Sequence, residues 1–494
     1  MCMTSLSTLL QGIVEVPSVF DVTIHGLRTD SRQVGKGDAF VALSGSRTPA
    51  DHYVDDAIRA GAIVVILEVA QSAPCYEYEG ALVVPLPSLR RNLGRIADRF
   101  YEHPSRRMRV VGVTGTNGKT SVSHFIAQLL NAADIPCGVL GTLGYGMPGN
   151  LTASTHTTPD VVEVNRALFD MARRGARAVA MEVSSHALDQ GRIDGVTMTG
   201  AVFTNLTRDH LDYHGSMEAY GQAKAALFAR EGLHFAIINV DDPFGRQLHE
   251  QTDGLCDRVR YSLHESQTEL WLTRFAPSPD GFEADIDGQW GSFSVSAPLM
   301  GSFNASNLLA AMAAVLSLGV PVDTVSQAVS RLEPPPGRLE SFTGPAGVRV
   351  VVDYAHTTDA LAKALAALRP HTSGQLICVF GCGGDRDTGK RPEMAREAER
   401  VADRVIITDD NPRTESPEAI VGDILQGLEN RESATVIHDR ADAIHTAIDM
   451  ARPGDVVLVA GKGHEAWQER NGKRTPFSDV AHVQEALGLN GGAA

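Results

Sequence analysis

The sequence lacks the features of a membrane-spanning or secreted protein. It has no apolar run close to the ~18–20 residues that cross a bilayer. Its amino terminus has neither the basic region nor the sustained apolar region of a signal peptide. Cysteine is scarce, and the close pair Cys378 and Cys382 has no second pair with which to hold zinc. We therefore expect a cytoplasmic protein with no membrane span and with reduced, mostly buried thiols.

An excess of positive charge is also missing. The chain has 44 Lys and Arg against 60 Asp and Glu, a net charge of −16. Nucleic acids and anionic membranes need a continuous basic surface, so we expect neither as a partner. A small anionic ligand held by a few local cations is compatible with this charge. The length of 494 residues, 43% of them hydrophobic, is typical of a soluble globular protein with about three domains.

Short β-branched runs alternate with helix-like segments, a pattern that predicts an α/β fold with parallel strands. The runs form three groups, and they include Asp38–Leu43, Arg109–Thr114, Ala178–Val183, Arg404–Thr408 and Asp455–Ala460. Proline-containing stretches separate the groups at His103–Arg107 and Glu333–Gly337. We predict three domains, with the bounds 1–104, 105–335 and 336–494.

The segment Val110–Thr120 carries the strongest local motif. An apolar strand leads into a glycine-rich turn and then into the helical segment Ser121–Leu130. Glycines let backbone N–H groups converge on phosphate oxygens, Lys119 can reach the outer phosphates, and the Thr120 hydroxyl can face Mg²⁺. Val113 departs from the common phosphate-loop pattern, which has glycine at that position. We predict a nucleotide-phosphate site formed by Gly115, Thr116, Asn117, Gly118, Lys119, Thr120 and Ser121.

Two further polar segments follow predicted strands. Glu182 comes after an apolar strand, where an acid points into the ligand crevice of an α/β fold and can coordinate the Mg²⁺ of a nucleotide. The structural alternative is that Glu182 only caps the following helix. Further along, His210 and His214 lie within a few residues of two aspartates and an arginine. Such a density of ionisable groups favours a functional site over a solvated loop.

These segments and others further along the chain resemble the ATP-dependent Mur ligases of peptidoglycan synthesis. The resemblance extends from about Thr29 to Glu465 and keeps the order of the family's motifs. The motifs are GTNGKT from Gly115, MEVSSH from Met181, NLTRDHLDYHG from Asn205, GSFNASN from Gly301, DYAHT from Asp353, GCGGDRD from Gly381, DNPR from Asp410 and GKGHE from Gly461.

The resemblance implies an amino-terminal domain that binds a UDP-linked substrate, a central ATPase domain with a mostly parallel sheet, and a Rossmann-like carboxyl-terminal domain for an amino acid. It implies a ligase that adds meso-diaminopimelate to UDP-N-acetylmuramoyl-L-alanyl-D-glutamate in cell-wall synthesis. In this family the substrate carboxylate becomes an acyl phosphate, which the incoming amine attacks. The crowded negative charge calls for Lys119 and Mg²⁺, and we expect two Mg²⁺ ions.

The same resemblance assigns catalysis to Lys119, Glu182, His210 and Lys224. Lys224 is expected as a carbamate, an anion that can hold a second Mg²⁺ where a bare lysine would repel it. Thr120, Glu182 and His210 complete the expected metal ligands. Without the resemblance, Lys224 looks like an exposed helix lysine. The remaining residues assigned to ATP are Asn304, Arg338 and Asp353.

The UDP-linked dipeptide is expected to meet hydroxyl, amide and guanidinium groups, which suit an anionic ligand rich in hydrogen-bonding atoms. The residues assigned to it by resemblance are Ser31, Ser46, Arg47, Thr48, Thr157, Thr158, Ser184, Gln190 and Arg192. His156 departs from the family pattern, which leads us to expect asparagine before Thr157.

The choice of amino acid depends on the DNPR motif. meso-Diaminopimelate differs from L-lysine by a second carboxylate, and the planar guanidinium of Arg413 matches a carboxylate bidentately. In isolation, Asp410–Arg413 is equally compatible with an ordinary turn. The residues assigned to diaminopimelate are Arg386, Asp410, Asn411, Pro412, Arg413, Gly461 and Glu465.

Three other functions stay open at this point. Arg413 argues against a lysine-adding member of the family. The segments Thr29–Arg32 and Asp38–Leu43 argue against a folylpoly-γ-glutamate synthetase, which lacks this amino-terminal region. A P-loop regulatory ATPase would share the phosphate loop but has no use for Asp410–Arg413 or Gly461–Glu465. A monomer is the default expectation, with ATP, the UDP-linked dipeptide and diaminopimelate as its small-molecule partners.

Overall fold

The computed structural model describes residues 3–45, 49–154 and 156–489. They form two compact units, with the boundary between Arg260 and Tyr261. Each unit contains mostly parallel sheets covered by helices, so the predicted α/β fold is confirmed. The three predicted domains with their bounds at 104/105 and 335/336 stay a prediction. Within the described residues, no helix is both long and apolar enough to cross a bilayer.

The first unit is built on two larger sheets and one two-stranded sheet. Its strands are β1 (Thr4–Ser5), β2 (Thr23–Ile24), β3 (Gly26–Arg28), β4 (Asp38–Ala42), β5 (Val64–Val69), β6 (Tyr76–Tyr78), β7 (Ala81–Pro87), β8 (Arg109–Thr114), β9 (Cys137–Gly141), β10 (Gly144–Met147), β11 (Asn150–Thr152), β12 (Ala178–Glu182), β13 (Gly200–Phe203), β14 (Phe235–Asn239) and β15 (Asp257–Ser262), which continues past the boundary. Its helices are α1 (Leu6–Leu10), α2 (Val54–Ala60), α3 (Leu89–Phe100), α4 (Lys119–Ala132), α5 (Val161–Arg173), α6 (Ser185–Asp189), α7 (Leu211–His214), α8 (Met217–Ala225) and α9 (Pro243–Gln251). Short 3-10 helices cover Ser18–Phe20, Ser31–Gln33, Ala50–Tyr53 and Pro104–Arg107.

Strand order determines which loops of the first unit meet. The smaller sheet runs β3-β4-β5-β7-β6, and the larger one contains the order β11-β10-β9-β12-β8-β13-β14. Strands β9, β12, β8, β13 and β14 are parallel, so their carboxyl ends lie at one edge. The segments that follow β12, β8 and β13 are therefore neighbours at that edge.

Apolar packing fixes the strands that carry these segments. Residues Val110–Thr114 of β8 are buried, as expected for a parallel strand covered by helices on both faces. Val164 and Leu168 of α5 belong to the same buried cluster as Val179 and Met181 of β12. The position of the strand that ends at Glu182 is thus set by a helix with an apolar face.

The second unit combines an antiparallel ribbon with a larger, mostly parallel sheet. Its strands are β16 (Leu270–Ser278), β17 (Gly281–Gly288), β18 (Phe293–Ala297), β19 (Glu340–Thr343), β20 (Arg349–Asp353), β21 (Leu376–Phe380), β22 (Arg404–Ile407), β23 (Ala434–Val436), β24 (Val456–Ala460), β25 (Trp467–Arg470) and β26 (Lys473–Pro476). Its helices are α10 (Ser302–Ser317), α11 (Val322–Val329), α12 (Thr358–Leu368), α13 (Lys390–Val401), α14 (Pro417–Leu425), α15 (Arg440–Met450) and α16 (Asp479–Ala486), with 3-10 turns at Arg369–His371 and Arg431–Ser433.

The large sheet of the second unit has the order β19-β20-β24-β21-β22-β23. All its pairings except β19 with β20 are parallel. The segments after β20, β24, β21 and β22 therefore share one edge. They begin at Tyr354, Gly461, Gly381 and Thr408.

Candidate active site

The turn between β8 and α4 has the geometry of a phosphate-binding loop. Gly115 and Gly118 adopt positive φ angles of 147° and 86°. A Cβ atom at Gly115 would lie 1.9 Å from Thr204 Oγ1, so this position requires glycine. Lys119, the first residue of α4, donates to the carbonyls of Gly115 at 3.0 Å and Thr116 at 2.8 Å. The loop thus combines a helix amino terminus with a lysine at the same place.

Glu182 connects the phosphate loop to its neighbours in the sheet. Its buried carboxylate accepts from Thr120 Oγ1 at 3.0 Å and from the Thr142 amide at 2.8 Å. The helix that follows is capped by Ser184, whose Oγ accepts from the Ala187 amide. Two predicted metal ligands, Thr120 and Glu182, are therefore in direct contact.

Lys224 is buried, contrary to the exposed helix position that its sequence context alone favours. Its side chain lies on α8 with a relative exposure of 1%. Nζ donates to the Gly115 carbonyl at 2.9 Å and lies 4.3 Å from the centroid of the Tyr220 ring. Burial, assisted by the Lys119 ammonium, lowers the pKa of Lys224 well below its usual range. Both effects shift the protonation of Lys224 toward the neutral amine.

The predicted histidine-rich segment forms a cluster of rings beside Lys224. His210 lies at a positive φ of 52° immediately before α7. Its ring centroid is 4.9 Å from that of His186 and 6.0 Å from that of Tyr220. His214 Nε2 is 2.9 Å from Ser185 Oγ. Partial burial lowers the pKa values of His186 and His214, which favours neutral rings that can accept a proton or a metal.

Most residues assigned to the UDP-linked dipeptide surround the end of β12. Thr158 Oγ1 donates to the Glu182 carbonyl at 2.9 Å and accepts from the Ser184 amide at 3.2 Å. Arg192 donates to the Thr158 carbonyl at 2.8 Å and, through Nε, to Gln190 Oε1 at 2.9 Å. Thr157 Oγ1 is 3.1 Å from Thr142 Oγ1.

The other residues of this chain that were assigned to the UDP-linked dipeptide do not follow β12. Ser31 begins a 3-10 turn, and the neighbouring Thr29 donates to Asp160 Oδ2 at 3.1 Å, which joins this turn to the Thr157–Thr158 segment. Ser46, Arg47 and Thr48 lie outside the described residues. His156 is exposed, and its carbonyl accepts from Ser154 Oγ at 2.7 Å.

In the second unit, a buried lysine joins two residues assigned to diaminopimelate. Lys462 Nζ donates to Asn411 Oδ1 at 3.1 Å and to Glu465 Oε2 at 3.0 Å. Asn411 Nδ2 donates to the same Glu465 oxygen at 3.0 Å. Lys462 was not predicted as a site residue from the sequence, although it lies within the GKGHE motif. Lys462 is buried where the segments after β22 and β24 meet at one edge of the sheet.

Asp410 lies against a buried ion pair that sequence reasoning also missed. Arg440, the first residue of α15, binds both carboxylate oxygens of Asp479, the first residue of α16, at 2.7 and 2.8 Å. Burial raises the pKa of Asp410, while Arg440 and Lys462 act in the opposite direction. Gly461 has a φ of 119°, and a Cβ there would lie 2.7 Å from Asp410 Oδ2. Arg440 and Asp479 are 39 residues apart in sequence, so a local motif cannot predict that they pair.

Arg413 has a fixed backbone and a guanidinium bonded to a neutral acceptor. Its φ is 53°, its amide donates to the Glu469 carbonyl at 3.0 Å, and its Nη1 donates to the Gly384 carbonyl at 2.6 Å. A Cβ at Gly383 would lie 2.9 Å from Arg413 Nη1 and 3.7 Å from Arg386 Cγ, so the two arginines flank this glycine. Pro412 shares the turn, and its carbonyl accepts from the Glu415 amide at 3.1 Å.

Three residues assigned to ATP lie in the second unit, and two of them, Arg338 and Asp353, interact electrostatically. Asp353 accepts from the amides of Leu339 and Ala355, and burial raises its pKa while Arg338 lowers it. The Arg338 guanidinium carbon lies 4.9 Å from the Tyr354 ring centroid. Asn304 is buried at the start of α10, where it donates to the Met300 carbonyl at 3.0 Å.

A phosphate-binding loop lies in the first unit, and a cluster of charged side chains lies in the second. Three family models match: Mur ligase family, catalytic domain, at residues 23–101; Mur ligase middle domain at 113–315; and Mur ligase, glutamate ligase domain, at 337–463. The chain belongs to the Mur ligase family. The resemblance seen in the motifs and the predicted ligase class are confirmed.

Within this family, several similar proteins share one name. The UDP-N-acetylmuramoyl-L-alanyl-D-glutamate--2,6-diaminopimelate ligase of Alkalilimnicola ehrlichii is 49% identical over 499 residues, 99% of this chain and 100% of that protein. The ligase of the same name from Pseudomonas aeruginosa is 48% identical over 468 residues, 94% of this chain and 96% of that protein. A solved structure of a ligase of this name has 37% identity and a TM-score of 0.74, covering 99% of this chain and 100% of that one.

Proposed function

We propose that this chain is an ATP-dependent ligase that joins meso-diaminopimelate to the terminal carboxylate of UDP-N-acetylmuramoyl-L-alanyl-D-glutamate. The products are the UDP-linked tripeptide, ADP and phosphate. The near full-length similarity to ligases of that name supports the reaction. The observation that supports the choice of amino acid is the guanidinium of Arg413. Its Nη1 donates to the Gly384 carbonyl, so the other N–H groups of the guanidinium can bind a substrate carboxylate. Its planar fork suits the second carboxylate that distinguishes diaminopimelate from lysine.

ATP is the co-substrate in this family, and its phosphates are proposed to bind the turn Gly115–Gly118. Backbone N–H groups and the start of α4 favour an anion there. Lys119 now donates to two loop carbonyls, and we propose that it turns to the outer phosphates when the nucleotide binds. Its positive charge would offset the charge that accumulates during phosphoryl transfer.

The residues beside this loop fit Mg²⁺. The Glu182 carboxylate and Thr120 hydroxyl offer oxygen ligands, which Mg²⁺ prefers. Lys224 fits a carbamate because burial shifts its protonation toward the neutral amine, the form that attacks CO₂ with loss of a proton. His210, at the edge of the ring cluster, is the fourth proposed ligand. Two bound Mg²⁺ ions would neutralise the transferring phosphate and the resulting acyl phosphate.

The dipeptide is proposed to bind along the end of β12. Arg192 is held by Thr158 and Gln190, so its cationic side chain is oriented before substrate arrives. The hydroxyls of Thr157 and Ser184 lie near the same strand end. This arrangement would hold the reacting carboxylate beside the nucleotide loop.

The amino acid is proposed to bind through charges of the second unit. Arg413 and Arg386 would bind its carboxylates, while Asp410, Asn411 and Glu465 would bind the ammonium of its distal end. We propose the cytoplasm as the place of reaction, because ATP and UDP-linked substrates are supplied there. A single chain carries every proposed ligand-binding residue, which supports a monomer as the working unit.

A phosphate-release assay tests this proposal. ATP is supplied with the UDP-linked dipeptide and meso-diaminopimelate together, and then with each one omitted. The proposal expects rapid phosphate release only with the complete mixture, because the acyl phosphate is consumed by the amine. Equal hydrolysis of ATP without the two co-substrates would contradict a ligase and favour a regulatory ATPase.

A further inference from the structure

Two buried histidine nitrogens, one on α15 and one on α16, have no hydrogen-bonding partner among the described residues. The atoms are His445 Nε2 and His482 Nδ1, and both are inaccessible to solvent. The ring centroids are 5.8 Å apart. Buried polar atoms nearly always have partners, so two unpaired nitrogens in one place call for an explanation.

A carboxylate completes the group. Glu485 follows His482 by three residues on α16, and its Oε2 lies 3.7 Å from His482 Nδ1. One ligand atom each from His445, His482 and Glu485 lies within 4.8 Å of the others. The His482 ring is packed on Phe477 at a centroid distance of 4.7 Å, which limits its rotation. The Glu485 side chain is 61% exposed and therefore free to move toward the two rings.

We propose that His445, His482 and Glu485 form a binding site for Zn²⁺ or a related divalent transition metal. Two imidazole nitrogens and one carboxylate oxygen are a ligand set that Zn²⁺ accepts, with a fourth position for water. Mg²⁺ prefers oxygen ligands and is not the expected ion. Metal–ligand distances of about 2.0–2.2 Å require the three ligand atoms to draw together by roughly 1 Å, which rotation of the exposed Glu485 allows.

The site would join the last helix of the described chain to the sheet-packed helix α15. The same two helices are already linked at their first residues by the buried pair Arg440 and Asp479. A metal one turn further along would hold α16 at a second point. None of its ligands is among the residues proposed to bind substrate, so the metal site is independent of the proposed reaction.

Zinc binding by the full-length, chelator-treated chain tests this site. Equilibrium dialysis is carried out with Zn²⁺ in the presence of excess Mg²⁺, which occupies oxygen-rich sites. We expect a zinc ion that is retained by the parent and bound at least about tenfold more weakly by His445→Gln and by His482→Gln. Glu485→Gln should weaken binding as well. His264→Gln, an exposed histidine of the same unit, is the matched control and should bind like the parent.

Thermal unfolding separates loss of metal from loss of fold. Because neither nitrogen makes a hydrogen bond, both histidine variants should unfold close to the parent's temperature without metal. Zn²⁺ should raise the unfolding temperature of the parent and of His264→Gln but not of the two variants. Equal zinc binding by the parent and both histidine variants would overturn the proposal, as would a parent that binds no zinc.

Discussion

Lys462 donates a hydrogen bond to Glu465 at 3.0 Å from a side chain that is completely buried. The same ammonium donates to Asn411 at 3.1 Å. One cation therefore orients two of the residues proposed to bind diaminopimelate. Its removal would take the buried cation from Glu465 and one hydrogen bond from Asn411, which links a packing feature of the second unit to the proposed choice of substrate.

Lys462→Met should lower kcat/KM for meso-diaminopimelate roughly 10- to 100-fold, because a charged buried hydrogen-bonding partner is lost. This corresponds to about 1.5–3 kcal/mol of transition-state stabilisation. The KM for ATP should change little, and Lys462→Arg should restore part of the activity. Lys363→Met, at an exposed lysine paired with Asp359, is the control. Steady-state kinetics with each substrate varied provides the measurement, and equal losses for ATP and amino acid would argue against a positioning role.

Arg440→Met should destabilise the second unit by about 3–5 kcal/mol, because Asp479 would become a buried, unpaired carboxylate. The double variant Arg440→Met with Asp479→Leu should recover most of this loss. Urea unfolding of the parent, the single variant and the double variant measures both effects. A double variant as unstable as the single one would show that the pair is not what holds α15 and α16 together.

Lys224→Ala should lower kcat at least about 100-fold, since the proposed carbamate would no longer stabilise the reacting phosphate through the metal. Short carboxylates added to the assay should restore part of the rate by occupying the vacated space. Lys473→Ala, at an exposed lysine, is the control. Full activity of Lys224→Ala without added carboxylate would remove this residue from the reaction.

His124 of α4 should make folding sensitive to mild acid. Burial lowers its pKa from 6.5 to about 4, so between these values the unfolded chain binds more protons than the folded one. Stability should fall as pH decreases through this window and level off below it. From pH 7 to pH 5, the contribution of this histidine is a loss of about 2 kcal/mol in unfolding free energy.

His124→Gln should lack that loss, whereas the exposed control His52→Gln should keep it. Urea unfolding at pH 7 and pH 5 gives the comparison. An identical pH dependence in the parent and His124→Gln would mean that folding does not lower the pKa of His124.

Sequence patterns were sufficient where the structure depends on neighbouring residues. The predicted run Arg109–Thr114 is the strand β8, and Asp455–Ala460 differs from β24 by one residue. Both are buried parallel strands, whose continuous apolar character is easily recognised. The antiparallel strands β16–β18 were missed because their residues are partly exposed and mix polar with apolar types.

Long-range contacts explain most of what the sequence analysis missed. Lys462 meets Asn411 from 51 positions away because β24 and β22 lie in one sheet, and Arg440 meets Asp479 because α15 packs on α16. From its sequence, Lys224 is expected to be exposed, because its helix has low amphipathicity. Its position beneath the phosphate loop buries it instead. Spacing within a motif does not contain this information.

The most direct test of the account is a product assay in which meso-diaminopimelate, L-lysine and glutamate compete for the UDP-linked dipeptide in the presence of ATP. The parent should form the diaminopimelate product almost exclusively. Arg413→Ala should have a lower kcat/KM for diaminopimelate, because the second carboxylate would be left without its cation. The expected loss of transition-state stabilisation is about 2–5 kcal/mol. Arg400→Ala, at an exposed arginine paired with Glu397, should behave like the parent. A parent that prefers lysine or glutamate, or an Arg413→Ala variant with an unchanged kcat/KM for diaminopimelate, would contradict the account.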